Sequence, residues 1–589
     1  MTIIGNGVLA IKIKTKHRKG EKMNDTVETW HLNFVDEEYG EDGILKKFGI
    51  KYPDNFNYAY DIIDKFAEME PDRRALLWVD LKDNEKTLTF GDLSRMSNKA
   101  ANMFRAAGIQ KGDHVMLVMK RHYQFWYTLY GLMKIGAVAI PASYLLTPHD
   151  YTYRFDAADV KAIVATRDGD VCKYIEDGEK DAENRLGSKF IVNGSREGWK
   201  TFDEEIEKYP DTFARQDGSV RDIFLMYFTS GTTGNPKMAI HDHTITLAQI
   251  QNAKHWHKVI PNGIHLTVSD TGWAKAAWGK LFGQPAMGTT TFVYDFDKFI
   301  PANLLRMIEK YKITTFCAPP TMFRFFLNED ISKFDLSSLT YCNIAGEALQ
   351  PEVFKQWYDA TGLKLMEGFG QSESTCIVGN LIGMEPKPGS MGKPMPIYTV
   401  DLVDKEGNSV PPGTVGEIVI KGEYCNTPGL FRGYYRDKER TDEAWHDGWY
   451  HTGDTATRDE DGYYWYVGRN DDVIKSSGYR IGPFEVESVV SAHPAVLECA
   501  VTGAPHPIRG EVVKASIILT DEYKDKAGED LVKEIQDFVK RNTAPYKYPR
   551  IVEFVEELPK TTSGKVRRNV IRQESRENYE KAQKENGNG

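Results

Sequence analysis

The chain lacks long apolar runs, closely spaced cysteines and long basic runs. Without about 18 consecutive apolar residues, we expect no transmembrane helix. The six cysteines have no Cys-x-x-Cys spacing, so we predict a reducing compartment, a cytoplasmic location and no zinc site. A net charge of −10 without interleaved basic and aromatic residues argues against a nucleic-acid partner.

The length and apolar content allow a large core. The chain has 589 residues, of which 41% are hydrophobic, and this is too long for one ordinary domain. At the N-terminus a fairly apolar stretch, 3–13, precedes a basic one, 12–22, which is the reverse of a signal peptide. We expect residues 1–40 to be a partly disordered extension, with Met23 as an alternative start.

Apolar runs rich in β-branched residues alternate with helical stretches between about residues 88 and 320, which predicts an α/β fold with a mostly parallel sheet. Candidate strands are 114–119, 137–140, 161–165, 189–192 and 290–293, and candidate helices are 98–107, 124–133 and 303–311. From 390 to 470, short strands with Gly, Pro and Asp turns predict a small antiparallel unit. A short α+β unit follows Asp472, with helical spacing over 531–539.

A loop rich in Gly, Ser and Thr follows the apolar run 223–228 and ends in a lysine. Glycines permit close backbone approach, successive N–H groups form an anion-binding nest, and Lys237 adds a positive charge. The pattern therefore predicts a phosphate site, although a polar surface turn is the alternative. It is not a Walker A loop, because that motif cannot be aligned with it.

This loop, Thr229–Lys237, resembles the phosphate loop of the adenylate-forming superfamily, which includes acyl-CoA synthetases, luciferases and peptide-synthetase adenylation domains. Three further segments resemble that family's motifs in the same order: Tyr450–Asp454, Gly468–Lys475 and Pro559–Lys565. The resemblance covers about residues 50–575. It implies a large N-terminal domain, 41–470, with two mostly parallel α/β sheets and a small β-barrel, then a small mobile α+β domain, 471–575, and a charged tail, 576–589.

The resemblance also implies an ATP site. Phe369 would stack on adenine near Glu367, Asp454 and Arg469 would bind the ribose, and Glu373 would hold Mg²⁺. The ATP-binding residues expected on this basis are Thr229, Ser230, Gly231, Thr232, Thr233, Gly234, Asn235, Pro236, Lys237, Gly346, Glu347, Glu367, Gly368, Phe369, Gly370, Gln371, Ser372, Asp454, Arg469, Arg480 and Lys565.

We expect catalysis from Lys565 and Lys237, and from Glu373 through the Mg²⁺ that it would hold, because joining a carboxylate to a phosphate requires cations that offset charge repulsion. As an ammonium between the two anions, Lys565 would orient both. By the resemblance, Asp471 is the hinge about which the C-terminal domain turns between half-reactions.

Three segments look like medium-chain acyl-CoA synthetases: Ser476–Pro483, Arg509–Ala515 and Thr543–Arg550. That likeness implies CoA contacts for Ser477, Gly478, Tyr479, Arg509, Lys540 and Tyr548. His493 and Val496 match a region where some relatives bind a second cation, and a satisfied surface histidine is the alternative.

Gly370 stands where acetyl-CoA synthetases have a tryptophan, which implies an acyl pocket open to acids larger than acetate. Trp273 and Trp278 are expected to line that pocket, and an inward Trp278 would limit it to short or branched chains of roughly three to six carbons. Lys275 would favour a second anion on the substrate if it points inward.

The sequence thus predicts an ATP-dependent acyl-CoA synthetase with ATP and CoA as co-substrates, Mg²⁺ as cofactor and a short, medium or branched carboxylate as substrate. We expect a monomer or homodimer. The alternatives are an amino-acid or aryl-acid adenylation enzyme, a luciferase-like oxygenase and a non-catalytic nucleotide-binding regulator. The absence of a Leu-Gly-Gly-x-Ser carrier segment disfavours the peptide-synthetase reading.

Overall fold

A computed structural model describes residues 24–229, 235–469, 472–476, 479–507, 509–561 and 565–586. These residues form a mixed α/β structure with parallel sheets and a separate C-terminal α+β domain. The fold class predicted from the sequence is therefore confirmed. Among the described residues, no helix combines the length and apolar character needed to cross a membrane.

The first large sheet has seven strands and is parallel except at one edge. In spatial order its strands are Lys237–Asp242, Ile223–Thr229, Val138–Pro141, His114–Val118, Val160–Thr166, Ser188–Val192 and Lys200–Thr201. Only the first runs antiparallel to its neighbour. The predicted phosphate loop therefore joins two antiparallel strands at the sheet edge.

The second large sheet has nine strands, with six parallel strands between antiparallel edges. In spatial order they are Lys393–Pro394, Cys376–Gly379, Leu365–Gly370, Tyr341–Ala345, Thr315–Ala318, Ile264–Thr267, Thr290–Asp295, Arg74–Asp80 and Glu85–Thr89. Carboxyl ends of parallel strands are where open α/β sheets place ligands.

Buried charges connect the two sheets at those carboxyl ends. Lys120, after the strand His114–Val118, pairs with Asp168 of its own sheet at 3.0 Å and with Asp297 of the other. His122 Nδ1 lies 2.8 Å from Asp295 Oδ2. Although burial opposes protonation, the two neighbouring aspartates raise the pKa of His122 to about 9, so the imidazolium joins the sheets at neutral pH.

A five-stranded antiparallel sheet follows, in the place of the predicted barrel. Its strands are Val400–Val403, Gly416–Lys421, Trp445–His446, Trp449–Arg458 and Tyr464–Arg469. Within the described residues the strand pairing is open rather than closed into a ring. Register shifts at 417–419 and 455–456 bend the strands around a core that includes Phe431 and Tyr450.

The C-terminal domain is a mixed sheet covered by helices. Its strands are Ile474–Ser476, Tyr479–Ile481, Val496–His506, Gly510–Leu519 and Ile551–Phe554, of which the last is parallel to its neighbour. A separate apolar core that includes Val486, Val513 and Ile535 stabilises this domain. The domain boundary predicted between residues 470 and 471 lies outside the described part of the chain and stays a prediction.

The α-helices are Lys65–Met69, Phe90–Ala106, Gln124–Ile135, Pro148–Ala157, Val171–Asp181, Phe202–Ile206, Thr244–Gln251, Gly283–Ala286, Pro301–Tyr311, Pro320–Phe326, Pro351–Thr361, Lys438–Ala444, Pro483–Ser491, Glu529–Asn542 and Arg568–Asn586. Short 3₁₀ helices are Trp30–Asn33, Ile331–Lys333, Asp521–Lys526 and Pro545–Lys547, and π-helices are Ala59–Asp64, Asn252–Trp256 and Ala277–Leu281. Every predicted helix is present.

The described residues near both ends of the chain are more ordered than the sequence suggested. Residues 24–40, predicted as part of a partly disordered extension, include a buried Val27 and the strand Val35–Tyr39, which pairs with Leu45–Ile50. The predicted charged tail is helical to Asn586. Ile571 packs into a small apolar cluster and Ser575 accepts a hydrogen bond from Lys514, which stabilises the helix despite its polar composition.

Candidate functional site

The ends of the predicted phosphate loop lie beside a buried glutamate. Thr229 and Lys237 are paired across the antiparallel hairpin. The Thr229 hydroxyl donates a long hydrogen bond of 3.4 Å to Glu373 Oε1. Ser230 to Gly234 lie outside the described residues, so the phosphate cradle itself stays a prediction.

Glu373 and Lys237 share a tyrosine. The Tyr434 hydroxyl donates to Glu373 Oε1 at 2.9 Å, and Lys237 Nζ lies 4.7 Å from the centroid of the same ring. Burial lowers the pKa of Lys237, Glu373 opposes that shift, and the charges of Arg440 and Arg469 add to it. The result is a partly desolvated patch with more cations than anions, which suits the phosphates of a nucleotide.

The predicted adenine segment forms the strand Leu365–Gly370, next to the turn that follows Ala345. Glu367 Oε1 accepts a hydrogen bond of 3.3 Å from the Leu349 amide, so this carboxyl group holds the turn. Gly346 has φ +102°, a conformation that favours glycine, and Glu347 accepts from Thr321 at 2.6 Å. The structure thus brings the two predicted adenine-flanking segments together.

Burial raises the pKa of Glu367 to about 8. In the described part of the chain its Oε2 atom makes no hydrogen bond. The folded state therefore binds more protons than the unfolded state between the ordinary value of 4.5 and about 8, and stability falls as pH rises through that window. Desolvation of the ionised form is the physical cause.

We expect Glu367→Gln to remove this pH dependence, because the amide has nearly the shape of the protonated acid and does not titrate. Between pH 6 and 8 the free energy of unfolding of the wild type should fall by roughly 2 kcal/mol, and the variant should not show this fall. Thermal unfolding midpoints at the two pH values measure this, with the exposed-turn variant Glu406→Gln as control. An equal drop in Glu367→Gln and wild type would show that another group causes the dependence.

The predicted ribose carboxylate is held from two sides. Asp454 Oδ1 accepts a hydrogen bond of 2.9 Å from the Tyr466 hydroxyl, and Oδ2 accepts one from the Gln371 amide. Burial raises the pKa of Asp454, whereas the positive charges of Arg469 and Lys565 oppose that shift. Asp454 and Arg469 are also cross-strand neighbours.

Lys565 lies close enough to this region to act on it electrostatically. The hairpin that carries it is closed by a bridge between Lys560 and Val566 and by the Thr561 amide, which donates to the Lys565 carbonyl at 2.7 Å. The charge of Lys565 opposes the raised pKa of Asp454, and it lowers the pKa of Lys275, whose main cause is burial. Thr562 to Gly564 lie outside the described residues.

Two of the predicted acyl-pocket residues, Trp278 and Gly370, are in contact. A Cβ atom at Gly370 would lie 2.2 Å from Trp278 Cη2, so the indole occupies the space that a side chain at position 370 would need. Trp278 Nε1 donates to the Ser374 carbonyl at 3.0 Å, and its ring packs edge-on against Trp256. Trp278 therefore projects toward the end of the strand Leu365–Gly370, and its place in an acyl pocket stays a prediction.

Trp273 and Lys275 lie on the segment that leads to Trp278. The half-buried Lys275 donates to the Ala345 carbonyl at 2.8 Å, at the end of a parallel strand. Trp273 Nε1 is buried and makes no hydrogen bond among the described residues. The Lys275 ammonium therefore points to the strand end rather than freely into solvent, within electrostatic range of the predicted catalytic lysine.

The predicted CoA residues are only partly described. Lys540 Nζ lies 4.4 Å from the centroid of the Tyr548 ring, and the Arg550 guanidinium lies 4.7 Å from it. This cationic and aromatic cluster suits a nucleotide phosphate or base. Arg509 lies at the start of the strand Gly510–Leu519, where its amide donates to His506.

Several predicted residues fall outside what the structure describes. These are the hinge residue Asp471, with Ser477 and Gly478, and the side chains of Tyr479 and Arg480, for which the backbone forms a short strand. His493 is buried, lies 3.4 Å from Glu534 and accepts a hydrogen bond from the Ala495 amide. These contacts favour a histidine whose partners are protein groups over a second cation site. No group of three potential metal ligands occurs in the described part of the chain.

Sequence reasoning missed two tyrosines that hold the predicted site residues, Tyr434 and Tyr466. With 30 tyrosines in the chain, composition singles out neither. One feature could have identified Tyr466: it lies three residues before Arg469, in a strand that pairs with the strand of Asp454. Tyr434 reaches Glu373 through a loop contact with Ala239, which no local pattern indicates.

Comparison with known proteins identifies relatives along most of this chain. The model of the AMP-binding enzyme family matches residues 63–435, and that of the AMP-binding enzyme C-terminal domain matches 485–565. The mitochondrial acyl-coenzyme A synthetase ACSM3 of Mus musculus is 41% identical over 90% of this chain and 92% of its own, and ACSM4 of Rattus norvegicus is 41% identical over 88% and 90%. The structure of the anthranilate CoA ligase AuaEII with anthranoyl-AMP has a TM-score of 0.80 at 30% identity, covering 89% of this chain and 98% of its own.

These relatives correct one prediction. The scattered cysteines led us to expect a cytoplasmic location, but ACSM3 and ACSM4 are both named as mitochondrial, so that prediction is wrong. The physical reason is that unpaired cysteines report a reducing environment and do not distinguish one reducing compartment from another.

Proposed function

Because the chain belongs to the AMP-binding enzyme family and is an AMP-forming acyl-coenzyme A synthetase, we propose that its adenylation site is the cluster formed by Lys237, Glu373 and Asp454 with the Lys565 hairpin. The observation that carries this is the convergence of one buried carboxylate, one partly desolvated lysine and a second lysine from the C-terminal domain. ATP and CoA are its substrates together with a carboxylate.

In the first half-reaction a carboxylate oxygen attacks the α-phosphorus of ATP. The new O–P bond forms as the bond to the β-phosphate oxygen breaks, and pyrophosphate leaves with the electron pair. Both reactants are anions, so the main barrier is repulsion. Lys237 at the loop and Lys565 on the hairpin offset that charge, and Glu367 and Asp454 position the base and ribose.

Mg²⁺ fits the site in the mode used by phosphate-transfer enzymes. A hard cation that is held by one protein carboxylate and by substrate phosphates needs few protein ligands. Glu373 is buried beside the phosphate loop, and the Thr229 hydroxyl oxygen lies within 3.4 Å of it. When bound, the cation would neutralise phosphate charge, and Glu373 with Thr229 would hold it.

In the second half-reaction the CoA thiolate attacks the acyl carbon of acyl-AMP. A C–S bond forms, the C–O bond to the phosphate breaks, and AMP leaves. We propose that the domain turns about Asp471 so that Lys565 withdraws and the segment Ser477–Arg480 with Arg509 approaches the pantetheine arm. Lys540 and Tyr548 would bind the nucleotide end of CoA, which their 4.4 Å cation–π contact supports.

For the acyl substrate we propose a short or branched carboxylate of roughly three to six carbons. The support is the Trp278 indole against Gly370, which limits the length of the chain. An aryl acid is the second candidate, favoured by the likeness to an anthranilate CoA ligase.

Carboxylate-dependent exchange of labelled pyrophosphate into ATP tests this proposal directly. The acids should include linear and branched chains of two to ten carbons, benzoate, anthranilate and several amino acids, with AMP release followed with and without CoA. We expect exchange to peak with short or branched acids and net turnover to require CoA. A peak at aryl acids would replace the acyl proposal, and exchange with amino acids alone would reject it.

A further inference from the structure

Tyr466 touches the nucleotide site and the C-terminal domain at the same time. Its hydroxyl donates to Asp454 Oδ1 at 2.9 Å, while its ring lies 5.9 Å from Phe369 and 6.2 Å from Phe484, between ring centroids. Phe369 is the predicted adenine platform, and Phe484 lies in the first turn of the helix Pro483–Ser491 of the C-terminal domain.

The backbone next to Tyr466 is the docking surface for that helix. A Cβ atom at Gly482 would lie 2.6 Å from the Val467 carbonyl oxygen, and one at Gly468 would lie 3.3 Å from Pro483 Cδ. Such close approach requires glycine at position 482 and leaves the two segments little room to slide. The start of the helix is therefore placed directly over the strand Tyr464–Arg469.

The same helix is tied to the region that carries Lys565. Glu487 on the helix accepts three hydrogen bonds of 2.6, 2.7 and 3.1 Å from Arg568, which follows Lys565 by three residues. Arg572 pairs with Asp472 next to the predicted hinge. A displacement of the helix from Tyr466 would thus displace Arg568 and with it Lys565.

We propose that Tyr466 is a positioning residue that couples the ribose pocket to the docking of the C-terminal domain. The hydroxyl fixes one oxygen of the Asp454 carboxylate, whose other oxygen is fixed by Gln371, so the carboxylate presents its remaining lone pairs to ribose. The ring supports Phe484 and so holds the helix that is tied through Arg568 to the segment of Lys565. This inference rests on the proposed adenylation site.

Two variants separate the two roles of the side chain. Tyr466→Phe removes the hydroxyl and keeps the ring, whereas Phe484→Leu removes the aromatic contact and keeps the apolar volume. Tyr464→Phe is the matched control, because it loses a hydroxyl from the same strand at a bond to the Val400 carbonyl, away from the site. Each is assayed with ATP, with 2′,3′-dideoxy-ATP, and for thioester formation from supplied acyl-AMP.

We expect Tyr466→Phe to reduce the preference for ATP over 2′,3′-dideoxy-ATP about tenfold, mainly through KM for ATP. Phe484→Leu should leave that preference unchanged and lower kcat of pyrophosphate exchange about tenfold, while thioester formation from acyl-AMP stays at the wild-type rate. Tyr464→Phe should match the wild type throughout.

The inference is overturned if Tyr466→Phe has the same nucleotide preference as Tyr464→Phe, or if Phe484→Leu slows both half-reactions equally. A loss of folding alone lowers both half-reactions together and leaves the nucleotide preference intact, so it cannot imitate the expected pattern. Failure of the adenylation site itself would appear separately, as absence of carboxylate-dependent exchange in the wild type.

Discussion

Lys565→Ala should lower carboxylate-dependent ATP–pyrophosphate exchange about a thousandfold and leave thioester formation from supplied acyl-AMP near the wild-type rate. The ammonium offsets the repulsion between the carboxylate substrate and the α-phosphate of ATP. Its charge acts on Asp454, at the predicted ribose side of the site, and on Lys275, at the predicted acyl side. If the domain turns before CoA attacks, the second half-reaction no longer uses this cation. Rapid-quench assays of the two half-reactions measure the split.

The same hairpin supplies the matched control. Lys560 lies on the other side of the turn and pairs with Glu498 at 2.8 Å. Lys560→Ala removes one cation and the same number of side-chain atoms, yet we expect exchange to stay within about twofold of the wild type, because exposed ion pairs contribute little. Equal loss of both half-reactions in Lys565→Ala would contradict the rotation of the domain.

Local patterns predicted part of the helices and strands but not their ends. The helix predicted from residue 98 begins at Phe90, because Thr89 accepts from the Asp92 amide while Asp92 accepts from the Thr89 amide, a capping box that extends the helix by two turns. The C-terminal helix, in contrast, was not predicted from the sequence. Its buried residues, such as Ile571 and Ser575, are few and its composition is mostly charged, so periodicity does not reveal a core face.

Candidate site residues could be predicted where one short segment forms a motif. They were missed where side chains from distant segments meet. Glu367, Glu373 and Asp454 lie in recognisable motifs, and the structure places partners around each. Tyr434 and Tyr466 depend on a loop contact and on a register shift in an antiparallel pair, and both are set by tertiary packing. Motif reasoning therefore proposes candidate site residues more readily than the side chains that hold them.

Trp278→Ala should shift the preference of the enzyme from short to longer acids. The indole now fills the space over Gly370, so its removal opens room for additional methylene groups. Each buried methylene contributes about 0.8 kcal/mol, or about fourfold in kcat/KM per carbon. We expect the ratio of kcat/KM for octanoate to that for butyrate to rise on the order of a hundredfold over four carbons.

The octanoate-to-butyrate ratio distinguishes an effect of the substitution on pocket shape from an effect on protein stability. Replacing a buried tryptophan by alanine costs about 3–5 kcal/mol, so part of the variant protein can be inactive. Because inactive protein lowers the rates with both acids equally, the octanoate-to-butyrate ratio is unaffected by it. An unchanged ratio with a lower rate would show that Trp278 is only a core residue.

A double substitution tests the contact itself. Alone, Gly370→Ala places a methyl group 2.2 Å from Trp278 Cη2, so the indole has to move. We expect both the activity with butyrate and the stability of the protein to fall. In the Trp278→Ala background the clash with the indole is removed and the approach of the methyl group to the Thr375 carbonyl oxygen, at 2.6 Å, remains, so we expect the loss to be partly recovered. Residues in contact give non-additive effects, and a coupling of more than tenfold in kcat/KM for butyrate between positions 278 and 370 would establish that the two residues form one wall of the acyl pocket. Strictly additive effects would place that wall elsewhere.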